Sequence, residues 1–283
     1  MSSDPYILHQ PSVPRSCAVF SSPHSGTAYG KEFLDRSCLS ELQLRSSEDA
    51  FVDLFLGETV QAPVLKACFP RAYVDLNREA NELDRAIIAG AKGQPTNPRI
   101  AAGLGVIPRV VAKGRAIMHG KMTLAEAKER LVKCYDPYHS ALRTLIENQC
   151  RRFGQCHLFD FHSMPGAVLS SLPKRQKRPD VIIGDRYGTS CDRWLSDAVA
   201  EIFRNAGFEV AHNAPFAGGY ITRRYGEPGQ GVHAVQIEID RGLYMDEEKI
   251  VPLPDFNHFR AKMEGLVDKL AALPPAVHQL AAE

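Results

Sequence analysis

Six short apolar runs that end in polar residues recur along the chain, with helix-like stretches between them. Runs of this kind, rich in β-branched and aromatic residues and bounded by turn formers, are typical of buried strands. The six candidate strands are CAVFSS, RAYVDLN, HLFDFHS, DVIIGD, FEVAHN and AVQIEID. Strands that alternate with helices favour an α/β fold with a mostly parallel or mixed sheet. We therefore predict one α/β domain over residues 1–283.

Three stretches carry helical patterns. The longest begins at Thr123, where Glu126 three residues later matches a capping box, and Pro137 should kink or break it. We therefore predict two packed helices there. A further helix is expected from near Ser190 to Gly207, and the last covers FNHFRAKMEGLVDKLAALP.

Two loop-like stretches interrupt these patterns. GAKGQPTNPRIAAGLGVIPRVVAKGRA is rich in Gly and Pro, and we expect a long surface excursion, which in a compact domain is often functional. PKRQKRPD is basic but has no interleaved aromatic residues, so we interpret it as a solvated turn and expect no nucleic-acid partner.

Composition excludes several classes of protein. A 283-residue chain that is 44% hydrophobic and 24% charged, with a net charge of +1, is typical of a globular protein with a substantial core. No apolar stretch is long enough to span a bilayer, and MSSDPYILHQ lacks the features of a signal peptide, so we expect a cytoplasmic protein with no membrane partner. The seven cysteines include no CxxC pair and are expected to be reduced thiols. The oligomeric state stays open.

Ionisable and amide side chains cluster where the predicted strands end. In chain order, they are His24; Asp75, Asn77 and Arg78; Asp160 and His162; Asp185; His212 and Asn213; Glu238 and Asp240. Ligands of open α/β sheets bind at the carboxyl ends of the strands. The repetition therefore predicts one shared site at that edge, with the plainer alternative that some of these residues only cap turns.

The residue types at these ends suit metal-assisted hydrolysis. Two histidines from separate strands, His24 and His162, with one carboxylate have the composition of a catalytic zinc site, where bound water ionises near neutral pH. Glu238 could then act as general base and acid. Arg78 beside Asn77 offers a bidentate grip on a carboxylate, although Arg78 and Glu82 could also form a plain helical ion pair.

The polar strand ends and their neighbours resemble the N-formylglutamate amidohydrolase family from about residue 15 to residue 250. The blocks that carry the resemblance are SPHSGT, VDLNRE, DFHSMPG, GDRYGTSCD, HNAPFAGGYITRRYG and HAVQIEIDRGLYMDE. Each block alone is unspecific, whereas their order together is specific.

The resemblance implies a fold, a cofactor and a reaction. The fold would be a three-layer α/β/α sandwich around a mixed sheet, as in the zinc carboxypeptidases. One Zn²⁺ per chain would be held by His24 and His162, with Glu238 as the catalytic carboxylate and Asn77 with Arg78 on the α-carboxylate of the substrate. The reaction would be hydrolysis of an N-acyl amino acid, with N-formyl-L-glutamate giving formate and L-glutamate as the first expectation.

The third metal ligand must come from a separate part of the chain. Zinc carboxypeptidases take it from an H-x-x-E motif, but Thr27 stands three residues after His24. We choose Asp49 in SSEDAFVDLF, which we place at the start of an amphipathic helix, with Glu32 as the second choice.

Further polar residues are candidates for binding the substrate. His212 and Asn213 could bind the substrate amide or stabilise the tetrahedral oxyanion, and we assign His212 a catalytic and Asn213 a substrate-binding role, with a capped strand end as the structural alternative. A second substrate carboxylate would require another cation, for which we choose Arg109 before Arg223 and Arg224.

Four residues stay outside this assignment. The roles of His233 and Tyr244 are left open. Ser163 and Ser190 raise a serine hydrolase as a rival, but neither lies in a G-x-S-x-G elbow. Two further functions stay open, namely hydrolysis of a different N-acyl amino acid, peptide or cell-wall amide, and non-catalytic ligand binding by a protein of the same fold.

Overall fold

A seven-stranded mixed sheet forms the centre of the computed structural model, which describes residues 4–13, 15–58, 60–92, 97–170 and 177–275. In chain order the strands are β1 Tyr6–His9, β2 Ala18–Ser22, β3 Val64–Ala67, β4 Cys156–Met164, β5 Val181–Gly184, β6 Val210–His212 and β7 Val232–Asp240. Their order across the sheet is β1-β3-β2-β4-β7-β5-β6.

Strand direction divides the sheet into two parts. β3, β2, β4 and β7 are mutually parallel, whereas β1 is antiparallel to β3, and β5 is antiparallel to β7 and carries β6 parallel to itself. The carboxyl ends of β2, β3, β4 and β7 therefore share one edge. The ends of β5 and β6 point to the opposite edge, so the expectation that six predicted strands would end at one site is wrong for these two.

One predicted strand does not form. Residues 71–77, RAYVDLN, adopt turns, and the neighbouring strand is β3, which lies just before them in the chain. The N–H of Tyr73 donates to the carbonyl of Pro70, and the N–H of Asn77 donates to the side chain of Asp75 at 2.8 Å. Asp and Asn side chains compete with strand ladders in this way, which explains the error.

Helices cover both faces of the sheet. They are α1 Lys31–Arg36, α2 Glu41–Arg45, α3 Pro98–Ala101, α4 Leu124–Arg130, α5 Asp136–Phe153, α6 Gly166–Ser170, α7 Arg193–Asn205, α8 Tyr220–Tyr225 and α9 Phe256–Ala271. Short pairs of two-residue strands join Ile88–Ala89 to Met122–Thr123, Val110–Val111 to Arg115–Ala116 and Met245–Asp246 to Val251–Pro252. Among the described residues, none of the helices has the length and apolar character needed to cross a membrane.

Two apolar layers result from the period of two along the strands. Phe20 and Phe159 pack on the side of α7 and α9, whereas Val19 and Leu158 pack on the side of α5 and α8. Adjacent strand residues point to opposite faces, so a strand buried on both sides is apolar at almost every position. The predicted three-layer α/β/α sandwich around a mixed sheet is confirmed. That residues 1–283 form one domain stays a prediction.

The predicted break into two packed helices at Pro137 does not occur, because the backbone stays helical from α4 through a π-helical turn into α5. Thr123 caps α4 by accepting a hydrogen bond from the N–H of Glu126 at 3.1 Å. One π-helical turn, Leu131–Tyr135, then precedes α5, and Pro137 lies in the first turn of α5, where its missing N–H costs little. α7 begins at Arg193, three residues later than expected.

The two predicted loops have different outcomes. The excursion over residues 90–116 contains α3 and one of the short strand pairs, and its second half walls a cavity described below. Residues 173–176 of the basic loop lie outside the described residues. The rest of that loop is paired, with Lys177 bonded to Glu209 and Arg178 to Asp240.

Candidate active site

His24 is fixed by the turn that follows β2. The N–H of Asp49 donates to the carbonyl of His24 at 3.0 Å, and the hydroxyl of Ser25 donates to the carbonyl of Asp49 at 2.9 Å. Gly26 lets this turn approach the next segment closely, because a Cβ there would lie 2.2 Å from the carbonyl oxygen of Phe69. The SPHSGT motif therefore serves to join His24 and Asp49.

Three buried ligand atoms converge at the carboxyl edge of the sheet. His24 Nδ1 lies 3.1 Å from His162 Nδ1 and 3.3 Å from Asp49 Oδ2, and His162 Nδ1 lies 3.0 Å from the same oxygen. The three side chains are at most 2% exposed. Four tetrahedral ligands around Zn²⁺ would lie roughly 3.3 Å apart, so this triangle has the size of a zinc site with one position open.

The other ring nitrogen of each histidine faces a carboxylate. His24 Nε2 lies 2.8 Å from Asp75 Oδ1, and His162 Nε2 lies 2.7 Å from Asp160 Oδ2. An ionised carboxylate only accepts hydrogen bonds, so each Nε2 carries the proton and each Nδ1 directs a lone pair at the other ring. This carboxylate–histidine arrangement is the usual outer shell of metal-binding histidines.

The charges of the cluster fit a cation. Two lone pairs and one carboxylate oxygen within 3.3 Å of one another repel unless a proton or a metal ion lies among them. Burial would raise the pKa of Asp49, but hydrogen bonds with His162 and His24 hold this pKa well below its ordinary value. Burial would lower the pKa of His162, but Asp160 and Asp49 raise it well above its ordinary value. Without a metal, the cluster therefore retains a proton in its place.

Asp49 is held so that only one of its oxygens faces the histidines. Its Oδ1 accepts hydrogen bonds from Arg241 Nη2 at 3.0 Å and from the hydroxyl of Ser163 at 3.2 Å. Ser163 thus supports the cluster, and Ser190 donates to the carbonyl of Ala234. Neither hydroxyl is bonded to a histidine base in the part of the chain that the structure describes, which disfavours a serine hydrolase.

Glu238 stands next to the cluster on β7. It occupies the position opposite His162 in the parallel β4–β7 register, and it is 6% exposed. Burial raises the pKa of Glu238 to about 7, a value suited to a group that takes and returns a proton near neutral pH. Its Oε1 accepts a hydrogen bond of 2.7 Å from Gln236 Nε2.

A cavity of about 620 Å³ opens over this cluster, within the range of about 300–1,000 Å³ typical of small-molecule sites. The segment from Arg99 to Gly114 lines one side, and the segment from Pro215 to Gly219 lines another. Five cationic side chains line it, against three carboxylates. The cations are Arg71, Arg78, Arg99, Lys113 and Arg241, and the carboxylates are Asp49, Asp75 and Glu238. This excess of positive charge suits an anionic ligand.

Asn77 and Arg78 both line the cavity. Asn77 Oδ1 accepts a hydrogen bond from the N–H of Ile221 at 2.8 Å, which fixes Nδ2 on the other side, 3.4 Å from His162 Nε2. Both of these nitrogens are donors, so the contact is no hydrogen bond and Nδ2 can donate to a ligand. Arg78 is anchored by the carbonyls of Leu104 and Asn77, which accept from its Nε and Nη1.

Three predicted site residues lie elsewhere. His212 is on β6, with its Nε2 3.3 Å from Arg204 Nη2, and Asn213 organises a turn by hydrogen bonds to Asp185. Neither lines the cavity, because β5 and β6 run opposite to the strands that carry the cluster. Arg109 is bound to Asp84 and to a carbonyl of its own loop, and it does not line the cavity either.

The structure also locates the alternative ligand Glu32, the segment after Asp49, and Tyr244. Glu32 is an exposed residue of α1, so the structure brings Asp49 and not Glu32 to the two histidines. Asp49 itself precedes a short 3₁₀ helix, Val52–Phe55, rather than the amphipathic helix that we expected. Tyr244 packs against Phe55 in the core.

The remaining two candidates lie away from the cluster. His233 lies at the start of β7, beside His157. Arg223 pairs with Glu79 at 2.9 Å.

Arg71 and Arg241 are among the functional candidates that the sequence analysis missed. Arg71 donates to Asp75 at 2.9 Å and lines the cavity beside the cluster. Arg241 follows β7 directly, one residue beyond the strand end. The signal for Arg241 was its place next to the Glu238 strand, whereas Arg71 lay inside a segment that was wrongly assigned to a strand.

The α/β fold carries a His–Asp–His cluster and a buried glutamate at the carboxyl edge of its parallel central strands. This arrangement defines a hydrolase with a candidate metal centre. The chain belongs to the N-formylglutamate amidohydrolase family, whose model matches residues 16–245. The resemblance drawn from the sequence is thereby confirmed, and the chain is a hydrolase that acts on an amide bond.

Individual relatives agree with this assignment. The chain is 29% identical over 246 residues to the N-formylglutamate deformylase of Pseudomonas putida, covering 85% of each chain. It is 32% identical over 238 residues to that of Pseudomonas aeruginosa, covering 81% of this chain and 82% of the relative.

Solved structures show the same fold. The crystal structure of N-formylglutamate amidohydrolase from Ralstonia eutropha JMP134 superposes with a TM-score of 0.88 at 32% identity, covering 94% of this chain and 97% of the other. A gene product from Agrobacterium tumefaciens, 17% identical, shares the fold with a TM-score of 0.63 over 94% of this chain and 96% of its own.

Proposed function

We propose that this chain is a zinc-dependent amidohydrolase that converts N-formyl-L-glutamate and water to formate and L-glutamate. The observation that carries the proposal is the triangle of His24 Nδ1, Asp49 Oδ2 and His162 Nδ1 beside Glu238. The substrate is supported by the relatives in the two Pseudomonas species, which are named N-formylglutamate deformylases.

His24, Asp49 and His162 would hold one Zn²⁺ per chain. Two imidazoles and one carboxylate are a usual donor set for catalytic zinc. A zinc ion bound there would act as a Lewis acid and would lower the pKa of water at the site. Asp75 and Asp160 keep the Nδ1 lone pairs of the two histidines directed inward.

Glu238 is the proposed proton carrier. It takes a proton from the attacking water as the oxygen of that water bonds to the formyl carbon, and it then gives the proton to the nitrogen as the C–N bond breaks. A pKa of about 7 lets one carboxyl group perform both steps near neutral pH. The products are formate and the free amine of the amino acid.

Arg71 is the proposed partner of the tetrahedral oxyanion, a role that we expected of His212. The guanidinium group interacts with the charges of Asp75, Asp49 and Glu238 and lines the cavity beside the cluster, which supports this role. Its position is fixed by the hydrogen bond from Nη2 to Asp75. A fixed cation costs no reorganisation when negative charge develops on the substrate oxygen.

The two carboxylates of the substrate need separate partners. Arg78 and the free Nδ2 of Asn77 are proposed for the α-carboxylate. For the side-chain carboxylate we propose Arg99 and Lys113 in place of Arg109, because both line the cavity. No side-chain hydrogen bond or ion pair joins either of them to another residue of the described ranges. Unpaired cations at the cavity wall are free to pair with a ligand.

The deciding experiment combines metal analysis with a substrate screen. Purified protein is expected to contain about one zinc per chain. Among N-formyl amino acids, N-formyl-L-glutamate should give the highest kcat/KM, measured as released amine. Preference for a neutral N-acyl amino acid or a peptide amide would favour an amidase of broader specificity, and absence of turnover with every amide would favour a binding protein.

A further inference from the structure

We infer that Gln236 is a positioning residue that determines which oxygen of Glu238 accepts the proton. The inference rests on the proposed role of Glu238. Gln236 and Glu238 are two residues apart on β7, so they share a face of the sheet, and both line the cavity. Gln236 is 4% exposed, which makes its hydrogen bonds costly to lose.

The amide of Gln236 has one possible orientation. Its Oε1 lies 2.7 Å from the backbone nitrogen of Gly219, and its Nε2 lies 2.7 Å from Glu238 Oε1. A backbone N–H can only donate, so the amide atom that faces it is the oxygen. The NH₂ group is therefore directed at Glu238. If the amide were flipped, its NH₂ group would face the N–H donor of Gly219, and its oxygen would face an oxygen of Glu238.

This orientation makes the two oxygens of Glu238 unequal. Oε1 accepts a hydrogen bond from Gln236, and a proton on Oε1 would collide with the amide N–H. The proton taken from water therefore resides on Oε2. No other hydrogen bond reaches the Glu238 carboxyl group within the described part of the chain, so Gln236 alone fixes its rotation.

The glycine pair in the APFAGGY motif explains how the backbone reaches Gln236. A Cβ on Gly219 would lie 2.2 Å from Nδ2 of Asn77, so only glycine fits at this position. Gly218 has φ +125°, a conformation that side chains rarely adopt. The loop thus brings one N–H to Gln236 while it packs against Asn77, which accounts for the glycine pair of this motif.

Gln236→Met tests the inference, because methionine keeps the approximate shape and removes both hydrogen bonds. We expect kcat for N-formyl-L-glutamate to fall about 10- to 100-fold, as for a lost hydrogen bond to a charged group, while KM stays within about twofold and zinc content stays unchanged. Gln236→Glu should lose at least as much activity, because its second oxygen would face Glu238 as another acceptor.

Gln149→Met is the matched control. Gln149 is also a buried amide, on α5, and its Nε2 donates to the carbonyls of Ser16 and Ala18 at the start of β2, away from the cavity. We expect this variant to lose thermal stability and to keep kcat. A similar kcat loss in the control would show that Gln236 acts only through the stability of the sheet and would overturn the inference.

Glu238→Gln, measured in parallel, distinguishes a failure of the Gln236 role from a failure of the proposed function. An inactive Glu238→Gln with an unimpaired Gln236→Met would refute the positioning role and leave the proposed function intact. An active Glu238→Gln would refute the proton carrier, and the role of Gln236 with it. A Gln236→Met variant that raised KM with kcat unchanged would assign Gln236 to substrate binding instead.

Discussion

His24 and His162 meet through their Nδ1 atoms, 3.1 Å apart, although 138 positions separate them along the chain. The contact is possible because β2 and β4 are neighbouring parallel strands whose carboxyl ends lie side by side. Each ring is turned toward the other by a carboxylate on its far nitrogen. The metal centre that we propose is therefore arranged by the sheet and by these two carboxylates together.

Removal of a metal ligand should empty the site. We expect His24→Ala, His162→Ala and Asp49→Ala each to reduce zinc content to a small fraction of one per chain, because a three-ligand site tolerates no loss. Glu32→Ala, at an exposed position of α1, is the control and should retain its zinc. Elemental analysis of dialysed protein measures this. Loss of metal in Glu32→Ala with full zinc content in Asp49→Ala would make Glu32 the third ligand.

Glu238→Gln should separate catalysis from metal binding. The amide keeps the shape of the side chain but cannot take a proton, so we expect kcat to fall by a factor on the order of 10² to 10⁴. Zinc content should remain that of the parent protein. Steady-state kinetics with elemental analysis of the same sample checks both. Parent-like turnover would move the base to another residue.

Arg78→Lys should act through the α-carboxylate. Lysine keeps the charge but loses the planar fork, so kcat/KM for N-formyl-L-glutamate should fall by about 1.5–3 kcal/mol in transition-state stabilisation. The α-amide analogue cannot pair with Arg78 and should be hydrolysed at similar, low rates by both proteins. Equal losses on the two compounds would contradict the carboxylate assignment.

Arg99 and Lys113 should determine selectivity for an acidic side chain. We expect Arg99→Ala and Lys113→Ala each to lower kcat/KM for N-formyl-L-glutamate by up to about fivefold, as for a lost ion pair between exposed side chains, and to change N-formyl-L-glutamine much less. Arg223→Ala removes a cation that is already paired with Glu79 and serves as the control. A loss of selectivity in the control only would return the assignment to Arg223.

His157 should make the fold sensitive to acid. Burial, with a contribution from His233, lowers the pKa of His157 to about 3, against about 6.5 in an unfolded chain. Between about pH 6.5 and pH 3, His157 therefore binds a proton in the unfolded chain but not in the folded protein. The stability that is present above pH 6.5 is lost as the pH falls toward 3.

Urea unfolding at pH 7 and pH 5 measures this loss. Between these values, His157→Gln should lose about 2 kcal/mol less unfolding free energy than the parent. His258→Gln, at an exposed position of α9, is the control. Identical pH dependence in the parent and His157→Gln would show that His157 does not cause the acid sensitivity.

The sequence pattern correctly predicted the central strands and several of the functional groups at their ends. β2, β4 and β7 contain the apolar-rich runs from which strands were predicted, and His24, His162 and Glu238 lie at or just beyond their carboxyl ends, so the shared-edge argument brought these three together. The hydrophobic pattern of a strand does not indicate whether the strand runs parallel or antiparallel to its neighbours. For this reason His212, at the end of the reversed strand β6, was expected in a cavity that it does not line.

Contacts between loops that lie far apart in the chain also could not be predicted from the sequence pattern. Arg71 reaches the cavity from a turn that looked like a strand. The role of Gln236 depends on a backbone N–H from another loop, which periodicity along β7 cannot reveal. Asp49 was chosen at the start of an expected amphipathic helix, and the structure has a short 3₁₀ helix there instead.

The central strand order also governs when the site can form during folding. β4 lies between β2 and β7, and Arg241, just beyond β7, reaches back 192 positions to hold Asp49. Pairings over such chain distances form slowly, because loop closure precedes the contacts that compensate for it. A nascent chain that lacks β7 has neither Glu238 nor the arginine that orients Asp49. Catalytic competence should therefore arise only after the last central strand has been synthesised and inserted.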